Sequence, residues 1–206
     1  MHREILTTGQ KELLPLLKVF AKDFYLVGGT AVALYIGHRC SIDFDLFCSG
    51  DIHRGRIKNR IDQSGFRIDK VIHESHEQFH IVINGIKMTF FSFPFDVPVE
   101  ERFDDVIKMP SLLTLAAMKA YALGGRAKWK DYADMFFLLK YHFRFSEISG
   151  QAKLIFKEMF TEKLFRQQLS YFKDIDRTEE IEYLVPAPSD EEIEQFLIEV
   201  ALTPFT

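Results

Sequence analysis

The sequence predicts an α+β protein in which a mixed half of strands and helices is followed by an all-helical half. A short apolar strand, a Gly-Gly turn, a helix and a second strand follow one another across residues 24–47. Asn84-Gly85 separates two strand-like apolar runs, a pattern typical of a β-hairpin. In the rest of the chain the apolar residues recur at helical spacing. We therefore expect one domain at residues 1–98 and a helical domain at residues 99–206.

Length and composition exclude several classes of protein. The 206 residues are 47% hydrophobic, which is enough for a substantial core, and 21 of them are Phe. The net charge of −4 excludes a chain that is basic throughout, as many nucleic-acid-binding proteins are, but it allows a local basic patch. No apolar run reaches the roughly 18 residues that cross a bilayer, and the N-terminus has no signal-peptide core. These features, with two cysteines too far apart on one predicted strand to pair, favour a cytoplasmic protein without a membrane partner.

Apolar spacing and turn residues define the other elements of the first half. Residues 7–22 carry leucines at helical spacing, with Thr7 or Thr8 as the N-cap and Pro15 in the first turn or at a kink. A thin stripe of isoleucines predicts a surface helix over residues 51–64. Further strands are expected at residues 66–73, 79–83 and 86–93, and the charged residues 100–105 are expected to form a connector.

Glycine, proline and capping residues bound the helices of the second half. The first helix, at residues 111–123, ends at a Gly-Gly pair, and a second is expected at residues 129–141. Residues 146–172 form one or two more helices. Ser189, with Glu192 three residues later, predicts a capping box that opens a last helix to about residue 202.

The segment at residues 39–47 has the clearest potential for chemistry. If it is a strand, its two-residue period places the alternating polar side chains on one face and the intervening apolar ones, Ile42 among them, in a core. The polar side chains are those of Arg39, Ser41, Asp43 and Asp45. Two adjacent carboxylates repel each other, and a bridging divalent cation would offset that repulsion. The alternative is a solvated strand face.

The Gly28-Gly29 pair lies between the first strand and the N-terminus of the following helix. Glycines let the backbone approach a ligand closely, and free N–H groups at a helix N-terminus suit a phosphate. A purely structural turn would have the same sequence, so this pair alone does not decide between the two interpretations.

Taken together, these motifs resemble the signature of a known superfamily. The pattern GG-T, then R-x-S-x-D-x-D, is similar to that of the DNA polymerase beta-like nucleotidyltransferases, and in particular to the AbiEii/AbiGii toxin branch. A second segment resembles that branch too: Lys119-x-x-A-L is followed by R-x-K-x-K-D-x-x-D. The resemblance implies a nucleotidyltransferase fold, with a mixed-sheet core and flanking helices followed by a helical domain.

The resemblance also implies an activity and its site residues. The activity would be transfer of an NMP from an NTP to an acceptor, RNA being favoured, by a toxin of a toxin–antitoxin or phage-defence system with an antitoxin encoded nearby. Asp43 and Asp45 would hold two Mg²⁺ or Mn²⁺ ions, and Lys119 and Asp131 would complete the catalytic site from the helical half. The residues expected to bind the nucleotide are Gly28, Gly29, Thr30, Arg39, Ser41 and Arg126.

The second segment has features that can be read without the resemblance. Lys119 is in register with the apolar residues of its predicted helix, and a buried lysine is costly unless it is paired. It could snorkel at the helix edge instead, or reach phosphates or a carboxylate. Asp131 and Asp134 share a helix face, where Lys130 could pair with Asp134, or they could be a helix cap and a surface pair.

One position departs from the superfamily pattern. A third carboxylate is expected on the strand after the hairpin turn, and the aligned residue is Thr89, whose hydroxyl is a poor metal ligand and no base near neutral pH. Two alternative functions therefore stay open. One is a small-molecule nucleotidyltransferase of the antibiotic-modifying kind, and the other is a nucleotide-binding or interaction protein without turnover.

Three weaker sets of residues also have two interpretations each. The histidines could bind metal, but a hairpin surface is favoured for His73, His76 and His80. Two basic stretches could contact RNA or triphosphate, or form solvated helix faces. They comprise Arg54, Arg56, Lys58 and Arg60 in the first half, and Arg126, Lys128 and Lys130 in the second. Trp129 could stack on a base or pack in the core.

Overall fold

The computed structural model describes residues 1–125 and 128–203. The chain divides into two compact units, Met1–Ser111 and Leu112–Thr206. In the described part, the first unit combines a seven-stranded mixed sheet with helices and the second is built mainly of helices, which confirms the predicted α+β class. None of the helices in these residues is long and apolar enough to cross a membrane.

The first unit begins with a short 3₁₀ helix at Arg3–Ile5, which is followed by a helical segment that is interrupted at Leu13. Thr7 forms a capping box with Gln10 at the start of the first helix, as the predicted N-cap requires. Pro15 lies in the first turn of the second helix, and its ring would clash with the carbonyl four residues earlier, so residues 7–22 form two helices instead of one. The helices of this unit are α1 (Thr8–Glu12), α2 (Leu14–Phe20), α3 (Gly28–Ile36) and α4 (Arg54–Gln63).

The strands of the first unit pair in both directions. They are β1 (Tyr25–Val27), β2 (Phe44–Cys48), β3 (Lys70–Glu74), β4 (Gln78–Ile83), β5 (Ile86–Ser92), β6 (Glu101–Phe103) and β7 (Ile107–Met109). Their order across the sheet is β3-β4-β5-β2-β1-β7-β6. The β2–β5 and β1–β7 pairs are parallel and the others are antiparallel. The predicted hairpin turn joins β4 to β5, with Asn84 at φ 50° and Gly85 at φ 74°.

Three expectations for this unit are wrong. The charged stretch predicted as a connector contains β6, and β6 and β7 both lie before the second unit begins, so the part of the expected helical domain up to Ser111 is not helical. The segment at residues 39–43 is not a regular strand, because β1 ends at Val27, which lies opposite Asp45, and the chain then turns into α3. Ile42, expected in the core, is 53% exposed.

The sheet has one buried face and one partly open face. On the buried face, Phe44, Leu46, Met88 and Phe90 are fully excluded from solvent. Alternating positions of the same strands place polar side chains on the other face, where Asp45 of β2 lies opposite Thr89 of β5. The edge strand β3 is exposed along its whole length. The open face therefore carries the polar residues of the central strands.

The second unit consists of α5 (Leu112–Leu123), α6 (Trp129–Tyr141), α7 (Phe145–Phe156), α8 (Glu162–Leu169) and α9 (Asp190–Leu202), with a short 3₁₀ helix at Lys157–Met159. Helix α5 packs against α6, α7 and α8, and α9 packs against α6 and α8. Ser189 is the N-cap of α9, its Oγ accepting a hydrogen bond from the Glu192 N–H at 3.1 Å, which is one of the two hydrogen bonds of the predicted capping box.

Candidate active site

The turn between β1 and α3 lies directly against a carboxylate. Gly28 has φ +75°, which favours glycine, and a Cβ added there would lie 2.2 Å from Oδ2 of Asp45. Val27, the residue before it, is directly opposite Asp45 in the β1–β2 pair. Both the backbone angle and the lack of space therefore require glycine at position 28.

The N-terminus of α3 is available to an anion. Val27 occupies the N-cap position, and its apolar side chain cannot accept a hydrogen bond from the first N–H groups of the helix. These groups belong to the turn formed by Gly28, Gly29 and Thr30. Uncapped N–H groups and the positive end of the helix dipole favour phosphate or carboxylate groups.

Arg39 and Ser41 lie at the second glycine of the turn. A Cβ on Gly29 would lie 2.6 Å from Nη2 of Arg39 and 3.0 Å from Oγ of Ser41. Arg39 is only 2% exposed, and its Nη1 donates a hydrogen bond to the Cys40 carbonyl at 2.9 Å. The guanidinium is therefore held beside the uncapped helix N-terminus, where it adds positive charge to the same location.

Thr30 connects the loop at residues 39–43 to α3. Its buried hydroxyl lies 3.0 Å from Oγ of Ser41 and 3.2 Å from the Ser41 carbonyl oxygen, and it also contacts the carbonyl of Asp43. A threonine hydroxyl has one proton to donate, so these acceptors share it. The Thr30 side chain therefore positions the loop, and a ligand would meet this residue through its backbone N–H.

The carboxylate of Asp43 has a basic neighbour that the sequence analysis did not identify. Asp43 precedes β2, and its Oδ2 lies 3.6 Å from Nζ of Lys87 on β5. Both side chains are partly exposed, at 38% for Asp43 and 36% for Lys87. The only signal in the sequence was that Lys87 lies two residues before Thr89, on the same face of a predicted strand.

The two carboxylates fit a magnesium or manganese ion through their chemistry. Magnesium is usually bound by one or two carboxylates, with waters and substrate phosphates supplying the other oxygens. Asp43 and Asp45 provide two such groups, and the Asp45 carboxylate lies beside the glycine turn. In the described part of the chain, no group of three or more His, Cys, Asp or Glu side chains could hold a metal, and the position opposite Asp45 is Thr89.

In the second unit, Lys119 of α5 lies between two carboxylates of α6. Its Nζ is 2.5 Å from Oδ1 of Asp131 and 2.6 Å from Oδ2 of Asp134. All three residues are buried, at 5%, 3% and 0% exposure respectively. Lys119 therefore does not snorkel, and the two aspartates are neither a surface pair nor partners of Lys130. The sequence left a carboxylate partner for Lys119 open as one alternative and did not identify Asp134.

The basic residues that precede and begin α6 are paired with an acidic segment. Glu179 accepts hydrogen bonds from Lys128 at 2.8 Å, and Nζ of Lys130 lies 3.0 Å from its other oxygen. These two lysines lower the pKa of Glu179 to about 2. Trp129 is buried, with the Arg177 guanidinium 3.9 Å above its ring, so it packs in the core.

The basic stretch of the first unit is paired in part as well. Arg54 and Lys58 of α4 each lie 3.6 Å from a carboxylate oxygen of Glu74, and Arg60 is 2.5 Å from Asp23. These contacts favour the interpretation of this stretch as a helix face over a dedicated RNA surface. The histidines lie on the β3–β4 surface, where His73 is opposite His80.

The predicted site residues thus form two groups, one in each unit. In the first unit the structure brings together residues of the glycine turn, the following loop and β2: Gly28, Gly29, Thr30, Arg39, Ser41, Asp43 and Asp45. In the second unit it brings together Lys119 and Asp131. Arg126, predicted to bind the nucleotide, lies outside the described residues.

Comparisons with known proteins show the family and the fold. Residues 16–202 match the family described as nucleotidyl transferase AbiEii toxin, type IV toxin–antitoxin system. An uncharacterized protein of Aquifex aeolicus, aq_aa25, is 30% identical over 181 residues, which cover 84% of each chain.

Two solved structures share the fold. One is a provisionally assigned nucleotidyltransferase of Helicobacter pylori, with a TM-score of 0.58 and 16% identity, covering 94% of this chain and 91% of that one. The other is the nucleotidyltransferase toxin MenT4 of Mycobacterium tuberculosis, with a TM-score of 0.60 and 10% identity, covering 93% of this chain and 81% of that one. At these identities the likeness shows the nucleotidyltransferase fold. With the family match, which confirms the resemblance seen in the sequence, it follows that the chain belongs to the AbiEii family of nucleotidyl transferase toxins.

Proposed function

We propose that this protein transfers an NMP from an NTP to a hydroxyl group of RNA, with pyrophosphate as the leaving group. The observation that carries the proposal is the contact of the Asp45 carboxylate with Gly28 at the uncapped N-terminus of α3. This arrangement combines a site for phosphate with a ligand for the metal ion that accompanies phosphate. The family to which the chain belongs supports the transferase activity.

Each residue of the first unit has a proposed role. The N–H groups of Gly28, Gly29 and Thr30 would bind the β- and γ-phosphates, and Arg39 would neutralise part of their charge. Ser41 would orient the triphosphate through its hydroxyl. Asp43 and Asp45 would hold two magnesium ions, which when bound stabilise the charge on the phosphates and orient them for in-line displacement.

The paired residues of the second unit also enter the proposal. Lys119 and Asp131 match the second motif of the family, and we propose that they contribute to the reaction, as Arg126 would to nucleotide binding. Their support is the burial of a hydrogen-bonded lysine with two carboxylates, an arrangement that folding alone gains little from.

The proposal also includes a cellular setting. We propose a toxin that acts in the cytoplasm, where NTPs and RNA are present, in phage defence, and that is counteracted by an antitoxin encoded nearby. This part of the proposal rests on the family description of a toxin–antitoxin system.

A labelling experiment tests the activity. The purified protein is incubated with total cellular RNA, Mg²⁺ and each α-labelled NTP in turn, and the RNA is examined for incorporated label. We expect labelling by the wild type and none by the Asp43→Asn/Asp45→Asn double variant. The matched control is Asp62→Asn, because Asp62 is exposed on α4 and its carboxylate makes no hydrogen bond or ion pair in the described residues.

Two other results would contradict this proposal, one by indicating a different acceptor and the other by indicating that no transfer takes place. Label transferred to an aminoglycoside and not to RNA would indicate a small-molecule nucleotidyltransferase. NTP binding that needs Asp45 but leads to no transfer to any acceptor would indicate a nucleotide-binding protein without turnover, the function that Thr89 opposite Asp45 would favour.

A further inference from the structure

A row of side chains crosses the open face of the sheet from Asp45. Asp45 of β2 lies opposite Thr89 of β5, and Thr89 lies opposite His80 of β4. His80 in turn lies opposite His73 of the edge strand β3. Directly opposed residues of neighbouring strands project from the same face, and neighbouring strands are about 4.8 Å apart. His80 is therefore two strands, or about 10 Å, from Asp45 along the sheet.

The proposed reaction requires a group that accepts a proton. As the acceptor oxygen bonds to the α-phosphorus, it must lose its hydrogen to a base. Thr89, the residue after Asp45 in this row, has no basic group, and the Asp43 carboxylate has Lys87 at 3.6 Å. The next side chain along this row that can accept a proton near neutral pH is the imidazole of His80.

We propose that His80 is the general base of the transfer reaction, a role that rests on the proposed function. A ring nitrogen of neutral His80 takes the proton of the acceptor hydroxyl while the oxygen–α-phosphorus bond forms. The bond from the α-phosphorus to the bridging oxygen breaks, and its electron pair leaves with pyrophosphate. The imidazolium then releases the proton to water, which returns His80 to its starting state.

The surroundings of His80 agree with this role. In the described residues, neither ring nitrogen of His80 takes part in a hydrogen bond, and the ring contacts that of His73 at a centroid distance of 5.4 Å. Partial burial, then Lys87 and His73, lower the pKa of His80 below the ordinary histidine value of 6.5. Those two residues, from β5 and β3, are the titratable groups that act on it. The ring is therefore mainly neutral at pH 7 and has a nitrogen lone pair available.

The short side chain of Thr89 makes this geometry possible. Thr89 is 7% exposed and stands between Asp45 and His80 in the row, and its side chain is short and uncharged. A carboxylate at position 89 would stand next to Asp45 and could accept the proton itself. His80 and an acidic residue at position 89 are therefore expected to substitute for each other.

The first test compares His80→Gln with His73→Gln, which makes the same change one strand further from Asp45. Transfer is measured in single turnover, and NTP affinity is measured separately in the presence of Mg²⁺. We expect His80→Gln to slow transfer by about 10²-fold or more, with NTP affinity unchanged, and His73→Gln to stay close to the wild type. Equal rates in His80→Gln and wild type, or an equal loss in both variants, would overturn the proposal.

Two further measurements do not depend on that comparison. In Thr89→Asp/His80→Gln, transfer should recover at least about tenfold over His80→Gln alone, and no recovery would overturn the proposal. By NMR, the His80 ring of the wild type should titrate at the same pH as the acid limb of the transfer rate, and a clear mismatch would also overturn it. A wild type that transfers no NMP while binding NTP would instead reject the proposed function, and the role of His80 with it.

Discussion

Gly28 and Asp45 are so close that only a hydrogen atom fits at the α-carbon of residue 28 on the side facing the carboxylate. A Cβ there would lie 2.2 Å from Oδ2 and 3.0 Å from Cγ of Asp45. The glycine turn and the β2 carboxylate are thus in direct contact, and a larger side chain at position 28 must displace that of Asp45.

Substitution of Gly28 by alanine tests that contact. We expect Gly28→Ala to lose about 1–3 kcal/mol of unfolding free energy through the left-handed backbone, and to lose NTP binding because Asp45 must rotate away. Gly65→Ala is the matched control, since Gly65 has φ +79° but nothing within 4 Å of its added Cβ. Gly65→Ala should lose a similar unfolding free energy, measured by urea unfolding, but should bind NTP as the wild type does. Unchanged NTP binding by Gly28→Ala would contradict the assignment of the turn.

Substitution of Asp45 by asparagine separates function from folding. The side chain is partly exposed, so Asp45→Asn should change the unfolding free energy by less than about 1 kcal/mol. Transfer should fall by about 10²-fold or more, and the rise in Tm that NTP gives with Mg²⁺, and not with EDTA, should disappear. The measurements are thermal unfolding and RNA labelling, with Asp62→Asn as the control. A variant that still gains Mg²⁺-dependent stability from NTP would rule out Asp45 as a metal ligand.

Substitution of Lys119, unlike that of Asp45, should destabilise the fold, because it leaves two carboxylates buried without the ammonium group. We expect Lys119→Met to lower the unfolding free energy by about 3–5 kcal/mol, since the removed ammonium contacts both Asp131 and Asp134. Lys163→Met, at an exposed lysine of α8, should change it by less than about 0.5 kcal/mol. Denaturant unfolding measures both. A loss below about 1 kcal/mol would show that the triad is not a determinant of stability, and activity of the variant should be judged only under conditions where it is folded.

Glu179 gives the fold a dependence on pH. Its pKa is lowered from 4.5 to about 2 by Lys128 and Lys130, so its contribution is complete above pH 4.5 and is lost as the pH falls toward 2. The side chain is 48% exposed, and solvent screening limits the effect to about 0.5–1 kcal/mol. Glu179→Gln should therefore be less stable than the wild type at pH 7 and equal to it near pH 2 in urea unfolding. The control Glu180→Gln removes a neighbouring exposed charge and should be as stable as the wild type at both pH values. If Glu179→Gln lost the same unfolding free energy at pH 7 and near pH 2, the ion-pair explanation would be contradicted.

Local signals predicted much of the first unit. The capping residue Thr7, the turn at Asn84-Gly85 and the strand–glycine–helix order all depend on residues adjacent in sequence, and the structure has each of them. Strands β6 and β7 were missed because each has only three residues, which is too short for an alternating pattern to stand out. Their stability comes from pairing with β1 and with each other, which is information from the tertiary fold.

For the candidate site as well, local sequence signals predicted individual residues but not their tertiary partners. The motif predicted candidate residues for the site. The partners of Lys119 follow instead from the packing of α5 on α6, and a local i,i+4 rule wrongly assigned Asp134 to Lys130. The row from Asp45 to His80 depends on the register of three strands, two of which are far from Asp45 in sequence. No pattern within a single strand contains that information.

The exposed edge strand β3 has a consequence for the behaviour of the protein in solution. An open strand edge offers unpaired N–H and C=O groups to other molecules and can start aggregation. Here the strand carries Lys70 and Glu74 at its two ends, and its pairing with β4 is irregular between Val71 and His73. Charge and local irregularity both disfavour addition of another strand. We therefore expect the protein not to aggregate through its sheet edges, although the edge formed by β3 is exposed.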